Sequence, residues 1–156
     1  MSKINRKFRD ISGFTLIELL VVIGIIAILA AVVIIAINPA RQFAQARNTQ
    51  RWSNVNAILN AIGQNMADNR GVFDCGAALP STATNMADDG YDIYDCIIPT
   101  YISSMPIDPS VGDFTDGTNY STGYHVVRDA TTGRITVTAP EGANETAASA
   151  SIGVTR

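Results

Sequence analysis

One apolar segment constrains this chain more than any other feature. Every residue from Leu19 to Ile37 is apolar or glycine, and about 20 such residues are what an α-helix needs to cross the hydrocarbon core of a bilayer. Residues 1–12 carry more basic than acidic side chains, so the positive-inside rule keeps that end in the cytoplasm. The basic residues are Lys3, Arg6, Lys7 and Arg9. The chain after Ile37 is therefore expected to be exported.

The six residues Gly13–Glu18 (Gly-Phe-Thr-Leu-Ile-Glu) lead from the basic segment into the apolar one. With their flanks they resemble the signal of type IV prepilins and type II secretion pseudopilins, in which a membrane peptidase cuts between Gly and Phe and methylates the new amino terminus. The resemblance implies that residues 1–13 are a leader, which is left out of fold reasoning. It also implies that Gly13 is the last leader residue and that Phe14 is the methylated first residue of the mature chain.

Glu18 is the one acidic residue at the start of the apolar segment. A charged side chain at mid-membrane costs roughly 2.5–3.5 kcal/mol on insertion scales, so the carboxylate needs a partner. In the resembling family this glutamate contacts the terminal amine of a neighbouring subunit during assembly, here the amine of Phe14. The alternatives are the amine of its own chain, one turn earlier, or the positive end of the helix dipole.

A long helix in two halves is predicted after the cut. Residues 14–38 are the membrane or filament-core half and residues 39–70 the amphipathic half, together roughly 80 Å at 1.5 Å per residue. Gly24 and Pro39 are the helix-weakening positions, and Pro39 is expected to kink or melt the turn before it. In pili of the resembling family, the stretch between a glycine and a proline is extended in the filament. The alternative is a simple curve at the membrane exit.

The amphipathic half has an apolar stripe. Apolar residues return at intervals of three and four, which predicts one core-facing side: Trp52, Val55, Ile58, Leu59, Ile62 and Met66. The polar residues between them are expected to face water or neighbouring subunits, among them Arg47, Asn48, Arg51 and Asn54. Gly71 is expected to cap the carboxyl end of the helix.

Residues 71–119 lack sustained periodicity and are rich in turn-forming residues, which predicts a long ordered loop. A loop of this length needs a tether. Cys75 and Cys96 are the only cysteines, and in an exported domain we expect them to form a disulfide; a two-cysteine metal site or a free thiol pair are the alternatives. The segment Pro106–Pro109 (Pro-Ile-Asp-Pro) also resembles the stretch that leads into the sheet of many pseudopilins and some other pilins.

Residues 120–156 are predicted to form the sheet. Thr122–Arg128 and Arg134–Ala139 alternate and are β-branched, and a turn-rich segment joins them as a hairpin. A third strand is expected near Ala150–Thr155. The predicted fold is α+β: a long N-terminal helix packed against a small antiparallel sheet of about three strands, the pilin fold that the resemblance implies. The 118 residues outside the membrane (39–156) suffice for one compact domain.

Other chemistry is weakly supported. His125 is the only histidine and no nucleophile turn accompanies it, so we expect no enzyme. Asp113, Asp116 and Asn119 place oxygen ligands in a glycine-containing loop where pseudopilins often bind calcium, but the spacing is not that of an EF-hand. We therefore expect no cofactor, with calcium as the alternative. Asn119 and Asn144 begin glycosylation acceptor patterns, which arise often by chance.

The charge of the mature chain narrows its partners. Removing residues 1–13 takes away four basic residues and one acid, so the formal charge of -3 becomes about -6, and no lysine remains. An acidic protein of this kind does not offer a broad electrostatic surface for nucleic acid.

The leading hypothesis is a type IV pilin. It would be a single-pass precursor in the inner (cytoplasmic) membrane with a cytoplasmic N-terminus, handled by a prepilin peptidase and an inner-membrane assembly platform, and then polymerised as a homo-oligomer into an extracellular pilus. The first alternative is a pseudopilin of a type II secretion or DNA-uptake system. From another class, the alternative is a membrane-anchored exported enzyme or binding module. Twitching motility, adhesion, DNA uptake and secretion depend on partners encoded elsewhere.

Overall fold

The computed structural model describes residues 13–156, so the expectations for residues 1–12 of the leader, including its basic side chains, lie outside the described residues. The chain divides into two compact units, Met1–Pro39 and Ala40–Arg156. The described part of the first is an apolar helix. The second holds another long helix, two short helical turns and a five-stranded sheet.

Helix α1 spans Leu16–Ile37 and passes through Gly24 without interruption. It is long and apolar enough to cross a membrane. It ends at Asn38, whose φ of 48° and ψ of 80° are left-handed, a conformation that asparagine tolerates better than most residues. Because a proline disfavours helical backbone at the residue before it, the following Pro39 explains why the helix stops there.

Helix α2 spans Pro39–Asp68, so the long helix predicted over residues 14–70 is two helices separated by Asn38, directly before Pro39, where the kink or melted turn was expected. Proline suits the first position of a helix, where its missing N–H would have no partner in any case. Arg70 and Gly71 follow the helix with positive φ values of 58° and 87°, and the N–H of Gly71 donates to the carbonyl of Met66 at 2.7 Å. The left-handed glycine therefore closes α2.

The sheet is wholly antiparallel, with the strand order β1-β3-β4-β5. A further strand, β2, pairs with the N-terminal end of β3. The strands are β1 Thr84–Ala87, β2 Asp113–Asp116, β3 Asn119–Arg128, β4 Ile135–Ala139 and β5 Ile152–Thr155. This confirms the α+β class and an antiparallel sheet of several strands behind an apolar N-terminal helix.

The expected three strands were too few, because β1 and β2 come from residues 71–119, which were predicted as loop. Both have only four residues, too short to display an alternating pattern. The long strand β3 explains their presence: it pairs with β4 only from His125 to Arg128. The remaining backbone groups of β3 need partners, and β1 and β2 supply them.

One hydrophobic core joins α2 to the sheet. On β3, residues alternate in burial, with Tyr120, Thr122, Tyr124 and Val126 inward. On α2 the buried apolar residues include Val55, Ile58, Leu59 and Ile62. Trp52, predicted on the same stripe, is instead 41% exposed, because the adjacent position, Arg51, occupies the core-facing side of the helix.

The connection after α2 is tied down in two ways. Cys75 and Cys96 form a disulfide, with their Cα atoms 5.1 Å apart, and Cys96 lies in the short helix α3, Tyr94–Ile97. The amide of Asn65, buried on α2, donates to the carbonyls of Asp74 and Cys96 at 3.1 and 3.0 Å. Its oxygen accepts from the N–H of Asp74 at 2.8 Å. Both contacts hold the same stretch against the helix.

We expect the double variant Cys75→Ser/Cys96→Ser to lose about 3 kcal/mol of unfolding free energy, because opening a loop of this length frees the unfolded chain. Urea titration of the full chain in detergent micelles measures the change. Reductant should lower the midpoint of the wild type and leave the variant unaffected. Equal midpoints for variant and oxidised wild type would contradict the prediction.

Candidate processing and assembly site

The first turn of α1 is closed by a reciprocal pair of side chains. Thr15 is the N-cap residue, and its hydroxyl accepts a hydrogen bond from the N–H of Glu18 at 3.2 Å. In return the Glu18 carboxylate accepts from the N–H and the hydroxyl of Thr15 at 2.9 and 2.6 Å. This capping box satisfies backbone donors that a helix start leaves without partners. It fixes the carboxylate close to the predicted cut.

The capping box gives the Glu18 carboxylate a partner within its own chain. Within one chain the carboxylate binds the start of its own helix, where negative charge is favoured by the helix dipole. A carboxylate has about four lone-pair sites, and both bonds from Thr15 go to the same oxygen, Oε2. The second oxygen keeps its full capacity as an acceptor. The role of Glu18 towards another subunit stays a prediction.

The peptide bond between Gly13 and Phe14 is sterically open in the described residues. No heavy atom lies within 4 Å of the position that a Cβ on Gly13 would take. The side chain of Phe14 is 82% exposed. Packing within the described residues therefore does not require glycine at this position, and the cut after Gly13 stays a prediction.

The surface of α1 has no cover within the described chain. None of its residues is buried, although all except Glu18 are apolar or glycine. Contiguous apolar surface of this extent is a mark of a membrane or protein interface. Lipid or other apolar helices must therefore cover α1.

A second polar arrangement, which we call the Arg51 cluster, lies in the unit Ala40–Arg156. It comprises Arg47, Asn48, Arg51, Asp108 and Glu145. The guanidinium of Arg51 has no exposed surface and donates to the Asp108 carboxylate at 2.6 and 3.1 Å. It also donates to Glu145 at 2.7 Å. Each charge in the interior thus has an oppositely charged partner, as buried ions require.

The rim of the Arg51 cluster is formed one turn earlier on α2. Arg47 makes a two-pronged contact with Glu145, with both nitrogen–oxygen distances at 2.6 Å. The Asn48 amide donates to the carbonyl of Ala148 at 2.6 Å. These contacts correct the expectation that Arg47, Asn48 and Arg51 face only water or neighbouring subunits. They bind α2 to the segment between β4 and β5.

Spacing was the signal that could have placed Arg51 in the core. It precedes Val55 by four residues and Ile58 by seven, which is the same side of a helix. Because Arg51 is charged, it was predicted to face water or neighbouring subunits. Asp108, in the Pro-Ile-Asp-Pro segment, was the missing partner, and no local pattern connects two residues that are 57 positions apart.

The electrostatics of the Arg51 cluster favour its ionised form. Hydrogen bonds from Arg47 and then Arg51 lower the pKa of Glu145 to about 2. Burial opposes ionisation of Asp108, but hydrogen bonds from Arg51 and Ser110 prevail and hold its pKa below the usual value. Both carboxylates are therefore charged in the folded protein at neutral pH.

The remaining predicted residues do not converge on one site. Asp113 and Asn119 are exposed, and the Asp116 carboxylate accepts from the N–H and hydroxyl of Thr118, both at 2.8 Å. Among residues 13–156, no group of three or more acidic, histidine or cysteine side chains is placed to hold a metal ion. Asn144 is exposed in the short helix α4, Glu141–Asn144. Calcium and glycosylation stay predictions.

The apolar helix α1, which follows a basic segment in the sequence, fits one class of protein, a membrane-anchored precursor. Residues 8–36 match the family model described as the prokaryotic N-terminal methylation motif, the signal of type IV pilins and pseudopilins. The chain therefore carries the N-terminal signal of type IV pilins and pseudopilins, which supports a pilin-like or pseudopilin precursor, and the motif implies processing by a prepilin peptidase. Searches of curated proteins and of solved structures found no significant match.

The Arg51 cluster predicts acid sensitivity. The pKa of Glu145 is about 2 when folded against an ordinary value of 4.5, so its stabilisation is complete above about pH 4.5 and is lost as the pH falls towards 2. We expect Glu145→Gln to lower the urea midpoint at pH 7 and to flatten its fall below pH 5. Glu141→Gln, outside the Arg51 cluster, is the matched control. Parallel pH curves for wild type and Glu145→Gln would refute this account.

Proposed function

We propose that this chain is the structural subunit of a type IV pilus. It is cleaved after Gly13, N-methylated at Phe14 and polymerised through α1 into a filament on the cell surface. The observation that carries the proposal is the combination of the methylation motif with a helix of which no residue is buried in its own chain. A polymer of such helices covers each apolar surface with others of the same kind.

The chemistry of the amino terminus supports a specific register. Cleavage creates an α-amino group on Phe14 next to the capped first turn, where the Glu18 carboxylate keeps one free oxygen. In an apolar surrounding, an ammonium and a carboxylate attract far more strongly than in water. An incoming subunit whose amine meets Glu18 of a subunit already in place would satisfy both charges. Other staggers would leave charges unpaired in lipid, which is costly.

The exported unit fits a subunit that works outside the cell. Its disulfide is of the kind that persists in oxidising compartments. The span of α1 and the basic leader support a precursor in the inner membrane, with the unit Ala40–Arg156 on the outer side. A homo-oligomeric filament on the surface is the final location in this proposal.

A pseudopilin of a secretion or DNA-uptake system is the second candidate. Asp108 of the Pro-Ile-Asp-Pro segment, which resembles that of many pseudopilins, binds Arg51 and so fixes the entry into β2 and β3. A short periplasmic filament and calcium bound near Asp113–Asn119 would favour this candidate. A membrane-anchored enzyme or binding module would instead remain uncut and monomeric.

The processing step is tested by Gly13→Val. Because a Cβ at Gly13 meets no other atom within 4 Å, the substitution should leave the fold intact and obstruct only the peptidase. We expect full-length precursor to accumulate in the membrane. Mass spectrometry of sheared surface filaments from the wild type should find N-methyl-Phe14 at the first position. A wild-type filament protein that retains residues 1–13 would overturn the proposal.

The register step is tested by Glu18→Gln. The amide can still accept from Thr15 and cap α1, but it cannot pair with an ammonium as a charge. We expect normal membrane insertion and normal cleavage, with the filament yield reduced at least tenfold. Thr15→Ala, which weakens the cap by about 1 kcal/mol and keeps the charge, is the control and should assemble. Filaments of Glu18→Gln at wild-type yield would exclude this role.

A further inference from the structure

A groove outside the membrane segment points to a second contact between subunits. It has a volume of about 570 Å³ and lies between α2 and the turn that joins β3 to β4, beside the end of β5. We infer that it receives strand β2, Asp113–Asp116, of a second copy of this chain. This inference rests on the proposed function, since the filament holds copies side by side, and it names the surfaces that meet.

The floor of the groove is apolar, and the wall formed by α2 carries small residues. Leu59, Ile62 and Ile135 line it, each at most 5% exposed. On the wall stands Gly63, where no heavy atom lies within 4 Å of a Cβ position, and Ala67 follows one turn later. Small residues at these positions leave space for an apolar side chain from outside.

The rim of the groove is basic in an otherwise acidic chain. Arg134 and Arg156 line it and are exposed, and no acidic residue lines it. Arg156 donates to the neutral amide oxygen of Asn60. The Arg134 guanidinium has no hydrogen bond or ion pair within residues 13–156. The groove therefore suits an apolar side chain flanked by carboxylates, since complementary charge selects a partner.

Strand β2 has this composition. All four of its residues are exposed, and Phe114 stacks one face on the ring of Tyr94 at 5.9 Å while 40% of it stays exposed. Among the exposed large apolar residues of Ala40–Arg156, Phe114 alone has an acidic residue within two positions on both sides, Asp113 and Asp116. Strand β2 therefore presents a partly exposed aromatic ring with an acidic residue on either side of it.

The strand cannot reach the groove of its own chain. Phe114 pairs with Tyr120 at one end of β3, whereas the groove residue Ile135 pairs with Arg128 at the other end. Eight residues of strand separate these positions by roughly 26 Å. The occupant must come from another copy. Because the two surfaces differ, the contact is heterologous and propagates into open assemblies, as a filament subunit requires.

The contact is tested by cross-linking full-length chains. Two differently tagged copies, Gly63→Cys and Phe114→Cys, are produced together in bacterial membranes and oxidised. Cys75 and Cys96 are already bonded to each other, so the introduced thiols are the reactive ones. We expect at least ten times more mixed dimer than with Ser53→Cys, an exposed α2 position outside the groove, in place of Gly63→Cys. Equal yields would overturn the inference.

Charge reversal and groove filling give independent readouts. Arg134→Asp in the Gly63→Cys copy should lower the cross-link at least fivefold, and Asp113→Arg in the other copy should restore it. Gly63→Leu fills the groove and also favours the helix, so filament yield should fall while the unfolding midpoint does not. Gly63→Ala is the control and should assemble. No loss of cross-link with Arg134→Asp contradicts the inference.

The outcomes separate this inference from the proposed function. Wild-type filaments seen by electron microscopy, without the mixed dimer, would refute the contact and keep the pilus subunit. The mixed dimer without filaments would refute the pilus subunit and keep the contact.

Discussion

The buried guanidinium of Arg51 is the interaction on which the fold of Ala40–Arg156 depends most. Removing such an ion from water costs several kcal/mol unless partners replace the water. Here they are Asp108 and Glu145, which follow it by 57 and 94 residues. One comes just before β2 and the other between β4 and β5. Satisfying this single charge therefore holds the segment before β2 and the segment between β4 and β5 against α2.

The two long helices solve opposite problems. Helix α2 buries its core-facing apolar residues and pairs the charge of Arg51 within its own unit. Helix α1 satisfies backbone donors of its first turn by the capping box of Thr15 and Glu18, but its apolar surface stays open within the described residues. In a chain built in this way one unit has its own core, but the apolar surface of α1 needs a cover from outside the chain. Lipid can cover this surface in the membrane, and other copies would cover it in the proposed filament.

Apolar helices alone specify a contact poorly, because many rotations and staggers bury similar areas. Directional groups must select among them. Glu18 can do so at the amino end, where an unpaired charge is costly in lipid. Outside the membrane, a basic groove and an acid-bordered phenylalanine would add a second, heterologous constraint. Two such contacts at different positions along a subunit would fix the rotation and the axial rise between neighbouring subunits better than either contact alone.

The N-terminal half of this protein was predictable, and much of its C-terminal half was not. The signals in the N-terminal half are local: the apolar run from Leu19 to Ile37, the Gly-Phe pattern of the predicted cut and the position of Pro39. The structure confirms the α+β class, and the methylation motif supports a pilin-like precursor. The hairpin of β3 and β4 was also visible, since alternation is a local signal. The sequence did not reveal strands β1 and β2 or the inward orientation of Arg51. Short strands exist because a longer strand needs partners, and a buried charge is tolerated because distant residues approach it; both causes arise only once the chain has folded.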